Sequence, residues 1–469
     1  MERASLNNPS PKLSKARIAA LNAIMDMRKN EAYARDVLNK TLDNHVLSSA
    51  DRGFVARLTL GVTQTLGTLD DIIYRCVENP DDIKSNVMDC LRISTYEILY
   101  LEKEAHAAVD QGVELVKAIE PRARGLANLV LRRVVALKKE FPFGNPDEDM
   151  EAFARIYAIP KWECELIFNS IGESAGRYLI SSSNGRPPVY VFVNSLKASV
   201  DEVMELLKNI DAKPKLIDSL CGIKLHGCIL IEETSAINKP ECKEAMALGK
   251  FLIADAASQA VVTRAMQQYE HPKTMLEVGA GKGTKTLMFQ SLANTMWGSQ
   301  VDLTVMDNVE SKIKILRERA KRYGASIERY VVTDASSQTA FDREIGKQKF
   351  DIVFVDTPCS GLGTLRRHPE LKWRLTQKKI QELANTSYKI LANAADHVIE
   401  GGILTYSTCT VTKAENEEVI DRFLASPKGQ TFKIIPHIFQ DKQYPYLRTQ
   451  TFSGLNDSHF SVTLKRLND

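Results

Sequence analysis

Hydrophobic residues recur at helical spacing through the first part of the chain. Ile18, Leu21 and Met25 lie three and four positions apart, which places them on one face of a helix. Similar runs continue to about residue 139, and glycine and proline fall between them rather than inside them. The pattern predicts an all-helical domain over residues 12–140. Residues 1–11 are polar and contain two prolines, and we expect them to form a tail.

A cluster of turn-forming residues separates this region from the next. Residues 141–147 read FPFGNPD, which is typical of a domain boundary. Beyond them, helical patterns over residues 150–176 and 199–209 flank a strand-like run at 188–194. These patterns predict a small α+β module over residues 148–250.

From residue 251 onward, short apolar segments alternate with amphipathic helices. Polar residues or glycine bound each segment, as they do in buried parallel strands. The clearest predicted strands are Thr274–Val278, Val301–Met306, Asp351–Val355 and Gly402–Tyr406. This alternation indicates a doubly wound α/β domain over residues 251–469, whose ligands bind at the carboxyl ends of the strands.

The composition is that of a globular protein with several domains. Of its 469 residues, 44% are hydrophobic and 26% are charged, and this length corresponds to about two to four domains. The net charge of +3 neither requires nor excludes a nucleic-acid partner. No apolar run is long enough to cross a bilayer, and the polar N-terminus does not resemble a secretory signal. We therefore expect a cytoplasmic protein without a membrane partner.

The eight cysteines do not indicate a metal site or a disulfide framework. None of them forms a Cys-x-x-Cys pair, so no zinc site is expected. A long cytoplasmic chain is also not the usual setting for structural disulfides. A cysteine with a chemical role has to be recognised by its neighbours.

A glycine-rich loop comes after the first predicted strand of the α/β domain. Its sequence from Glu277, EVGAGKG, has the acidic-x-Gly-x-Gly-x-Gly form common to S-adenosylmethionine methyltransferases. The glycines let the backbone turn tightly and approach a ligand closely, although such a loop alone fits NAD or FAD as well. The predicted cofactor-binding residues of this loop are Gly279, Ala280, Gly281, Lys282, Gly283, Thr284 and Lys285.

Acidic residues at later strand ends extend the predicted cofactor site. Asp307 ends the second strand, where a carboxylate can accept both ribose hydroxyls; a helix N-cap is the alternative role. Asp334 comes after another short apolar run and is a candidate adenine contact, with a simple turn as its alternative. Asp356 ends the third strand and is both a predicted cofactor contact and a candidate catalytic carboxylate.

Two cysteines come directly after the third and fourth strands. Cys359 stands in Asp-Thr-Pro-Cys and Cys409 in Tyr-Ser-Thr-Cys, so both point to one edge of the sheet. A thiolate beside S-adenosylmethionine suits methylation of carbon 5 of cytosine, because its addition to carbon 6 makes carbon 5 electron-rich. Asp356 could stabilise the pyrimidine protonated at nitrogen 3. The target base has to be single-stranded or flipped out of its helix.

These motifs carry a family resemblance. The chain resembles the NOL1/NOP2/Sun RNA cytosine-5 methyltransferases, and specifically the bacterial Sun (RsmB-type) 16S rRNA enzymes, in Asp356–Glu370, Lys372-Trp373, Tyr406–Cys409 and Glu415–Glu417. The N-terminal helical region is similar to the NusB-type RNA-binding domain of that subfamily. The resemblance implies a class I (Rossmann-like) methyltransferase domain, S-adenosyl-L-methionine as cofactor and 16S rRNA as partner. We expect a monomer, although the sequence does not fix the oligomeric state.

The resemblance also implies the roles of the two cysteines. In the family, the cysteine of the second motif is the nucleophile and that of the first assists product release, so Cys409 attacks and Cys359 helps to resolve the adduct. The glycine loop departs from the family's usual Cys-Ala-Ala-Pro-Gly-Gly-Lys-Thr. Lys285 and Thr286 are retained, and we expect cofactor binding to survive.

Basic residues near the first cysteine motif and in the helical region favour an RNA partner. Phosphate contacts from such residues would give salt-dependent affinity. The predicted RNA-binding residues are Arg132, Arg133, Arg366, Arg367, Lys372 and Arg374. Two other functions remain open, namely methylation of cytosine in tRNA and an RNA-binding role in ribosome assembly without catalysis. The altered glycine loop motivates the second of these.

Overall fold

The computed structural model describes residues 13–101, 104–449 and 456–468. Its chain divides into two compact units. The first unit comprises the described residues up to Asn184 together with Leu365–Arg374, and the second comprises Gly185–Thr364 and the described residues from Leu375 onward. The predicted N-terminal tail, residues 1–11, lies outside the described residues.

The first unit is helical, as the spacing of its hydrophobic residues predicts. Leu21, Leu58 and Leu91 come from three different helices and are fully buried in its core. Ser14 and Ser48 precede two of the helices, and each side chain accepts a hydrogen bond from a first-turn N–H, which favours the start of a helix there. Its described α-helices are α1 (Lys15–Asn30), α2 (Ala34–Asp43), α3 (Ser49–Tyr74), α4 (Ser85–Tyr100), α5 (Ala105–Ile119), α6 (Arg124–Leu137), α7 (Met150–Ile156), α8 (Lys161–Ile171) and α9 (Glu173–Ser182).

Helices α7 to α9 extend the helical unit beyond its predicted end. Arg155 of α7 donates to the carboxylate of Asp71 in α3 at 2.9 Å, and its carbonyl accepts from the hydroxyl of Thr68 at 3.0 Å. The boundary predicted at residue 148 therefore does not separate the compact units, which divide at Gly185 instead. The turn-rich sequence before residue 148 marks a change of helix direction within one unit.

The second unit begins with a four-stranded antiparallel sheet. Its strand order is β2-β3-β1-β4. Ser199 and Glu202 form a reciprocal capping box at the start of the first helix of this region, which fixes where that helix begins. The elements here are β1 (Val189–Val193), α10 (Val200–Asn209), β2 (Pro214–Leu220), β3 (Ile223–Ile231), α11 (Pro240–Ala247), β4 (Phe251–Ile253) and α12 (Ala256–Met266).

The remaining strands build the predicted doubly wound sheet and a small hairpin. The elements are β5 (Thr274–Val278), α13 (Thr284–Trp297), β6 (Asp302–Asp307), α14 (Glu310–Tyr323), β7 (Arg329–Val332), α15 (Gln338–Ile345), β8 (Phe350–Asp356), α16 (Gln377–Ala395), β9 (Val398–Thr408), α17 (Glu417–Leu424), β10 (Phe432–Ile435), β11 (His437–Phe439), β12 (Lys442–Tyr444), β13 (Leu447–Arg448) and β14 (Phe460–Arg466).

The order of the main sheet is β10-β14-β9-β8-β5-β6-β7. Its five strands from β9 to β7 are parallel, whereas β14 runs antiparallel to β9. The parallel strands are buried on both faces by helices, which explains their continuous apolar sequences. Within the described ranges, no helix combines the length and the apolar character that a membrane span requires.

A buried pair of ionisable groups lies inside the first unit. Glu163 of α8 is fully buried, and Lys372 is 1% exposed. The Lys372 ammonium donates to Asn184 Oδ1 at 2.8 Å, whereas neither carboxyl oxygen of Glu163 has a hydrogen-bond partner among the described residues. Burial raises the pKa of Glu163 to about 9, opposed by the charge of Lys372, and burial lowers the pKa of Lys372 to about 8. Glu163 is therefore mainly protonated in the folded protein at neutral pH.

The Glu163→Gln variant tests this protonation state through the pH dependence of stability. The pKa of Glu163 is higher in the folded protein than in the unfolded chain. Its contribution to the free energy of unfolding is therefore complete at a pH below the ordinary pKa and is lost as the pH rises toward about 9. The amide introduced in the variant does not titrate. The free energy of unfolding of the variant therefore rises relative to that of the wild type by at most about 1.4 kcal/mol for each pH unit between pH 5 and 8. Thermal unfolding of both proteins at several pH values measures the difference.

The exposed neighbour Glu165 supplies the control. The Glu165→Gln variant makes the same substitution at an exposed position of the same helix and should follow the wild-type stability at every pH. A difference between Glu163→Gln and the wild type that stays constant across this range would contradict the assignment.

Candidate active site

The glycine loop between β5 and α13 is held against two neighbouring strands. Gly279 and Ala280 both donate their N–H groups to the carbonyl of Met306, at 2.8 and 3.0 Å. Gly279 has φ +86°, and a Cβ atom there would lie 2.1 Å from the carbonyl oxygen of Asp356. Only glycine fits this close approach between the loop and the end of β8.

The positions where the loop departs from the family pattern do not block its path. The side chain of Lys282 is exposed, and its carbonyl accepts from Arg319 at 2.7 Å. Thr284 begins α13, and its hydroxyl oxygen accepts from the same guanidinium at 3.2 Å. Gly281 and Gly283 both have positive φ angles, +57° and +84°, which glycine adopts without strain. The altered sequence thus forms a tight turn that leads directly into a helix.

A cavity of about 340 Å³ lies at the carboxyl ends of the parallel strands. Five of the ten predicted cofactor-binding residues line it, whereas Ala280, Lys282, Gly283, Thr284 and Lys285 do not. The lining predicted residues are Gly279, Gly281, Asp307, Asp334 and Asp356. Alternate residues of the loop therefore face the cavity, and the others shape the turn or point elsewhere.

Asp307 is fixed by two backbone donors. It is 7% exposed, and its carboxylate accepts from the N–H of Gly281 and the N–H of Val309, each at 2.9 Å. Helix α14 begins at Glu310 with Val309 as its N-cap, so Asp307 is not the capping residue. A buried carboxylate held in this way at the cavity wall is oriented to accept hydrogen bonds from a ligand.

Asp334 serves the local turn as well as the cavity. Its Oδ1 accepts from the N–H of Ser336 at 2.9 Å and from the Ser336 hydroxyl at 2.7 Å. The turn role considered from the sequence is thus present, and the exposed carboxylate lines the cavity at the same time.

The sequence patterns do not identify several of the residues that line the cavity. Asn308 and Thr333 adjoin the predicted Asp307 and Asp334, so their strand-end positions were a usable signal. Thr386 and Ile390 instead come from α16 and carry no motif. Nothing in the local sequence indicates that one face of this helix covers the cavity. The other unpredicted lining residues are Val278, Met306, Lys312, Ala335, Thr357 and Pro358.

The two cysteines beyond β8 and β9 meet at the sheet edge. The Sγ atoms of Cys359 and Cys409 lie 3.1 Å apart, and the N–H of Cys409 donates to Cys359 Sγ at 3.3 Å. Both side chains are partly exposed. The hydrogen bond with Cys409 raises the pKa of the Cys359 thiol, and burial and the nearby Cys409 and Glu415 raise it further. Cys359 therefore holds its proton at neutral pH.

A lysine and a carboxylate lie beside the thiols. The ammonium of Lys285 donates to Asp356 Oδ2 at 2.7 Å, and the lysine side chain is 15% exposed. Burial lowers the pKa of Lys285, but the charges of Asp356 and Cys409 more than offset this and leave the pKa above its usual value. A fixed positive charge thus lies near Cys409.

Glu277, at the end of β5, is a buried acid beneath the loop. Its Oε2 accepts from the Thr286 hydroxyl at 2.6 Å, and burial raises its pKa to about 8. The retained Thr286 therefore holds the acidic residue of the loop motif in place. Among the described residues, no group of three or more His, Cys, Asp or Glu side chains is arranged to hold a metal ion.

The predicted RNA-binding residues all belong to the first unit, and several are engaged with its backbone. Arg366 donates to the carbonyl of Ser182 at 2.9 Å, and Arg374 donates to the carbonyls of Glu31 and Ala32 at 2.7 and 2.8 Å. The carbonyl of Arg367 accepts from Arg35 at 3.2 Å. These basic residues connect the segment Leu365–Arg374 to the helices.

The structure contradicts the prediction that Lys372 binds RNA. Because its ammonium is buried and donates to Asn184, it cannot contact a phosphate, and its assignment as an RNA-binding residue was wrong. Arg132 and Arg133 are exposed on α6. Arg133 donates to the carbonyl of Cys76 at 2.8 Å, and Arg132 donates to the side chain of Asn128 at 3.1 Å.

Comparison with known proteins finds a family match in each region of the chain. Residues 264–452 match the family described as 16S rRNA methyltransferase RsmB/F, and residues 14–136 match the NusB family. The probable ribosomal RNA small subunit methyltransferase B of Synechocystis is 30% identical over 450 residues, covering 90% of this chain and 96% of that protein.

Two solved structures share the fold at lower identity. The crystal structure of PH0851 has a TM-score of 0.73 at 22% identity and covers 96% of this chain and 98% of its own. NSun6 from Pyrococcus horikoshii with SFG has a TM-score of 0.53 at 19% identity and covers 67% of this chain and 100% of its own. With a relative this similar along nearly its whole length, the chain belongs to the RsmB/F family of rRNA methyltransferases.

Proposed function

We propose that this protein transfers a methyl group from S-adenosylmethionine to carbon 5 of a cytosine in 16S rRNA, through a covalent bond between Cys409 and carbon 6. Membership of the family gives the coarser activity, methylation of small-subunit rRNA with S-adenosylmethionine. The observation that carries the finer proposal is the pair of thiols 3.1 Å apart beside the Lys285–Asp356 ion pair. Few reactions other than this one require two thiols and a carboxylate beside a methyl donor.

The cavity suits S-adenosylmethionine. Asp307, buried and held by two N–H groups, would accept hydrogen bonds from the ribose hydroxyls, and the backbone at Gly279 and Gly281 lets the ligand approach closely. Asp334 would reach the adenine. When bound, the cofactor supplies an electrophilic methyl group. The fold shared with NSun6, whose structure was determined with the S-adenosylmethionine analogue SFG, supports this assignment.

The two thiols would have different roles in this reaction. Cys409, which lies near the Lys285 ammonium, would attack carbon 6 of the cytosine as a thiolate. Cys359 keeps its proton because its pKa is raised. After methyl transfer, the carbon 5 proton leaves to a base, the ring electrons return, and the bond between Cys409 and carbon 6 breaks. Cys359, 3.1 Å from Cys409, lies where it can assist that release.

Asp356 connects the two reacting partners. It lines the cavity and accepts from Lys285, and its carboxylate lies at the end of β8 just before the Cys359 loop. There it would stabilise the pyrimidine as nitrogen 3 becomes protonated during attack by Cys409. The exposed arginines of α6, Arg132 and Arg133, are the proposed phosphate contacts of the helical unit, with salt-dependent affinity expected.

The decisive test of this function is methyl transfer from labelled S-adenosylmethionine to unmodified 16S rRNA, 23S rRNA and tRNA in parallel. We expect label only in 16S rRNA, recovered as 5-methylcytosine after digestion. Label in tRNA instead would favour the tRNA alternative. Tight RNA binding with no label in any RNA, and no heat on calorimetric titration with S-adenosylmethionine, would favour the non-catalytic assembly factor.

The Cys409→Ala variant should lose methyl transfer completely while it still binds S-adenosylmethionine. The alanine removes the attacking sulfur but leaves the cavity residues Asp307 and Gly281 in place. Radiolabel transfer and calorimetric titration measure the two properties separately. Cys221 is also partly exposed and lies in the turn between β2 and β3, so Cys221→Ala is the matched control and should keep full activity. Full turnover by Cys409→Ala would exclude Cys409 as the nucleophile.

The Cys359→Ala variant should accumulate a covalent complex with RNA. Attack by Cys409 remains possible, but release slows because the neighbouring thiol is absent. The complex appears as a band of reduced mobility on a denaturing gel and should disappear in the double variant that also lacks Cys409. If Cys359→Ala forms no such band while single-turnover methylation proceeds, the proposed release role of Cys359 is wrong.

A further inference from the structure

A buried carboxylate lies directly behind the two thiols. Glu415, in the loop between β9 and α17, is fully buried. Its Oε1 accepts from the N–H of Ser360 at 2.6 Å, and its Oε2 accepts from the hydroxyls of Ser360 at 2.6 Å and Thr412 at 2.7 Å. The Thr410 hydroxyl also donates to Oε2, at 3.2 Å. Four donor groups from two separate loops therefore converge on one side chain.

These donors are close in the chain to the cysteines. Ser360 comes directly after Cys359, and Thr410 directly after Cys409. The hydroxyl oxygens of Ser360 and Thr410 lie 2.7 Å apart. Either hydroxyl can donate to the other, and both also lie within hydrogen-bond distance of Glu415 Oε2, at 2.6 Å for Ser360 and 3.2 Å for Thr410. A continuous hydrogen-bonded path thus runs from the Cys409 loop through Ser360 to the carboxylate.

Glu415 is itself held by the strand that carries Cys409. The hydroxyl of Tyr406 in β9 donates to the Glu415 carbonyl at 2.5 Å. Next in the chain, Asn416 donates to the Thr410 carbonyl at 3.1 Å and accepts from the Thr408 hydroxyl at 2.6 Å. The carboxylate therefore has a fixed position relative to the Cys409 loop, and it holds the Cys359 loop from there.

The chemistry of the contacts requires a carboxylate at this position. The N–H of Ser360 can only donate, so the oxygen facing it has to accept, and the second oxygen faces three hydroxyl groups. A glutamine would turn an NH₂ group toward one of these donors and lose at least one hydrogen bond. Burial of a charge is costly without such partners, so a purely packing role would be served better by an apolar residue.

We propose that Glu415 is a positioning residue for methyl transfer, which ties the two cysteine loops together and sets the distance between the Sγ atoms of Cys359 and Cys409. This inference rests on the proposed function, because the spacing matters when one thiol attacks and the other assists release. Glu415 does not touch the substrate in this role. It acts through Ser360 on one side and through its own loop on the other.

The Glu415→Gln variant tests the proposal kinetically. We expect kcat for methyl transfer to fall about 100-fold, since small displacements of reacting groups cost this much, with KM for RNA and the Kd for S-adenosylmethionine unchanged. Glu418→Gln is the matched control, because Glu418 is exposed three residues further along and its variant should keep wild-type kinetics. An unchanged kcat for Glu415→Gln would overturn the proposal.

A second variant addresses the possibility that Glu415→Gln does not fold. Ser360→Ala removes one hydroxyl donor but keeps the N–H contact and the small size of the side chain. It should lower kcat less than Glu415→Gln does. The double variant should be no slower than Glu415→Gln alone, because both changes break the same connection. If the fold-decrease in kcat of the double variant equals the product of the two single-variant decreases, the two residues act independently, and the shared positioning role is contradicted.

The thiol spacing can also be measured without RNA. Phenylarsine oxide condenses with two adjacent thiols and releases water, so the wild-type protein should bind one equivalent that Cys359→Ala does not bind. Glu415→Gln should bind it at least tenfold more weakly, and Glu418→Gln should match the wild type. Equal binding by Glu415→Gln and the wild type would overturn the proposal. Weakened binding supports it even if methyl transfer to 16S rRNA is never observed, which separates the positioning role from the proposed function.

Discussion

The parallel pairing of β8 with β9 is the constraint on which the site depends. In that register Asp356 lies opposite Ser407, and the N–H of Thr357 donates to the Ser407 carbonyl at 3.2 Å. Each strand then continues for two or three residues to a cysteine, so side chains fifty positions apart in sequence come within 3.1 Å. A slip of one residue would turn one cysteine away from the other. The chemistry thus depends on backbone hydrogen bonds that the apolar cores of both strands keep in register.

The two thiols have different charged neighbours. Lys285 is the cation near Cys409, whereas Glu415 contributes to the raised pKa of Cys359. Two identical side chains thus lie in unequal surroundings. Asp356 keeps Lys285 charged and in place despite its burial. The proposed division of roles between the two thiols would draw on this difference in surroundings.

Local sequence patterns were sufficient to predict the strand ends and the residues they carry. Strand ends in an α/β sheet meet at one edge, so Gly279, Asp307 and both cysteines could be assigned before their distances were known. Features that depend on contacts between distant segments could not be predicted in this way. Thr386 lines the cavity because α16 packs over it, and Glu415 was recognised only as part of a motif, since no spacing rule connects it to Ser360. The sequence analysis assigns the helices α7 to α9 to a separate module. Turn-forming residues have the same composition whether they connect two helices of one unit or two different units, so they do not locate the boundary.

Lys372 illustrates why charge in a sequence is an ambiguous signal. It stands in the basic segment Leu365–Arg374, where exposure would make it a phosphate contact, yet its ammonium is buried beside Glu163. Trp373 next to it packs so closely on α3 that a Cβ at Gly67 would lie 2.3 Å from its ring, and its indole N–H donates to the Thr63 carbonyl at 2.8 Å. Lys372 and Trp373 are therefore residues of the interior of the helical unit, although both stand in a motif that resembles the family and in a segment rich in basic residues. A count of basic residues alone does not separate such an interior lysine from one that reaches the surface.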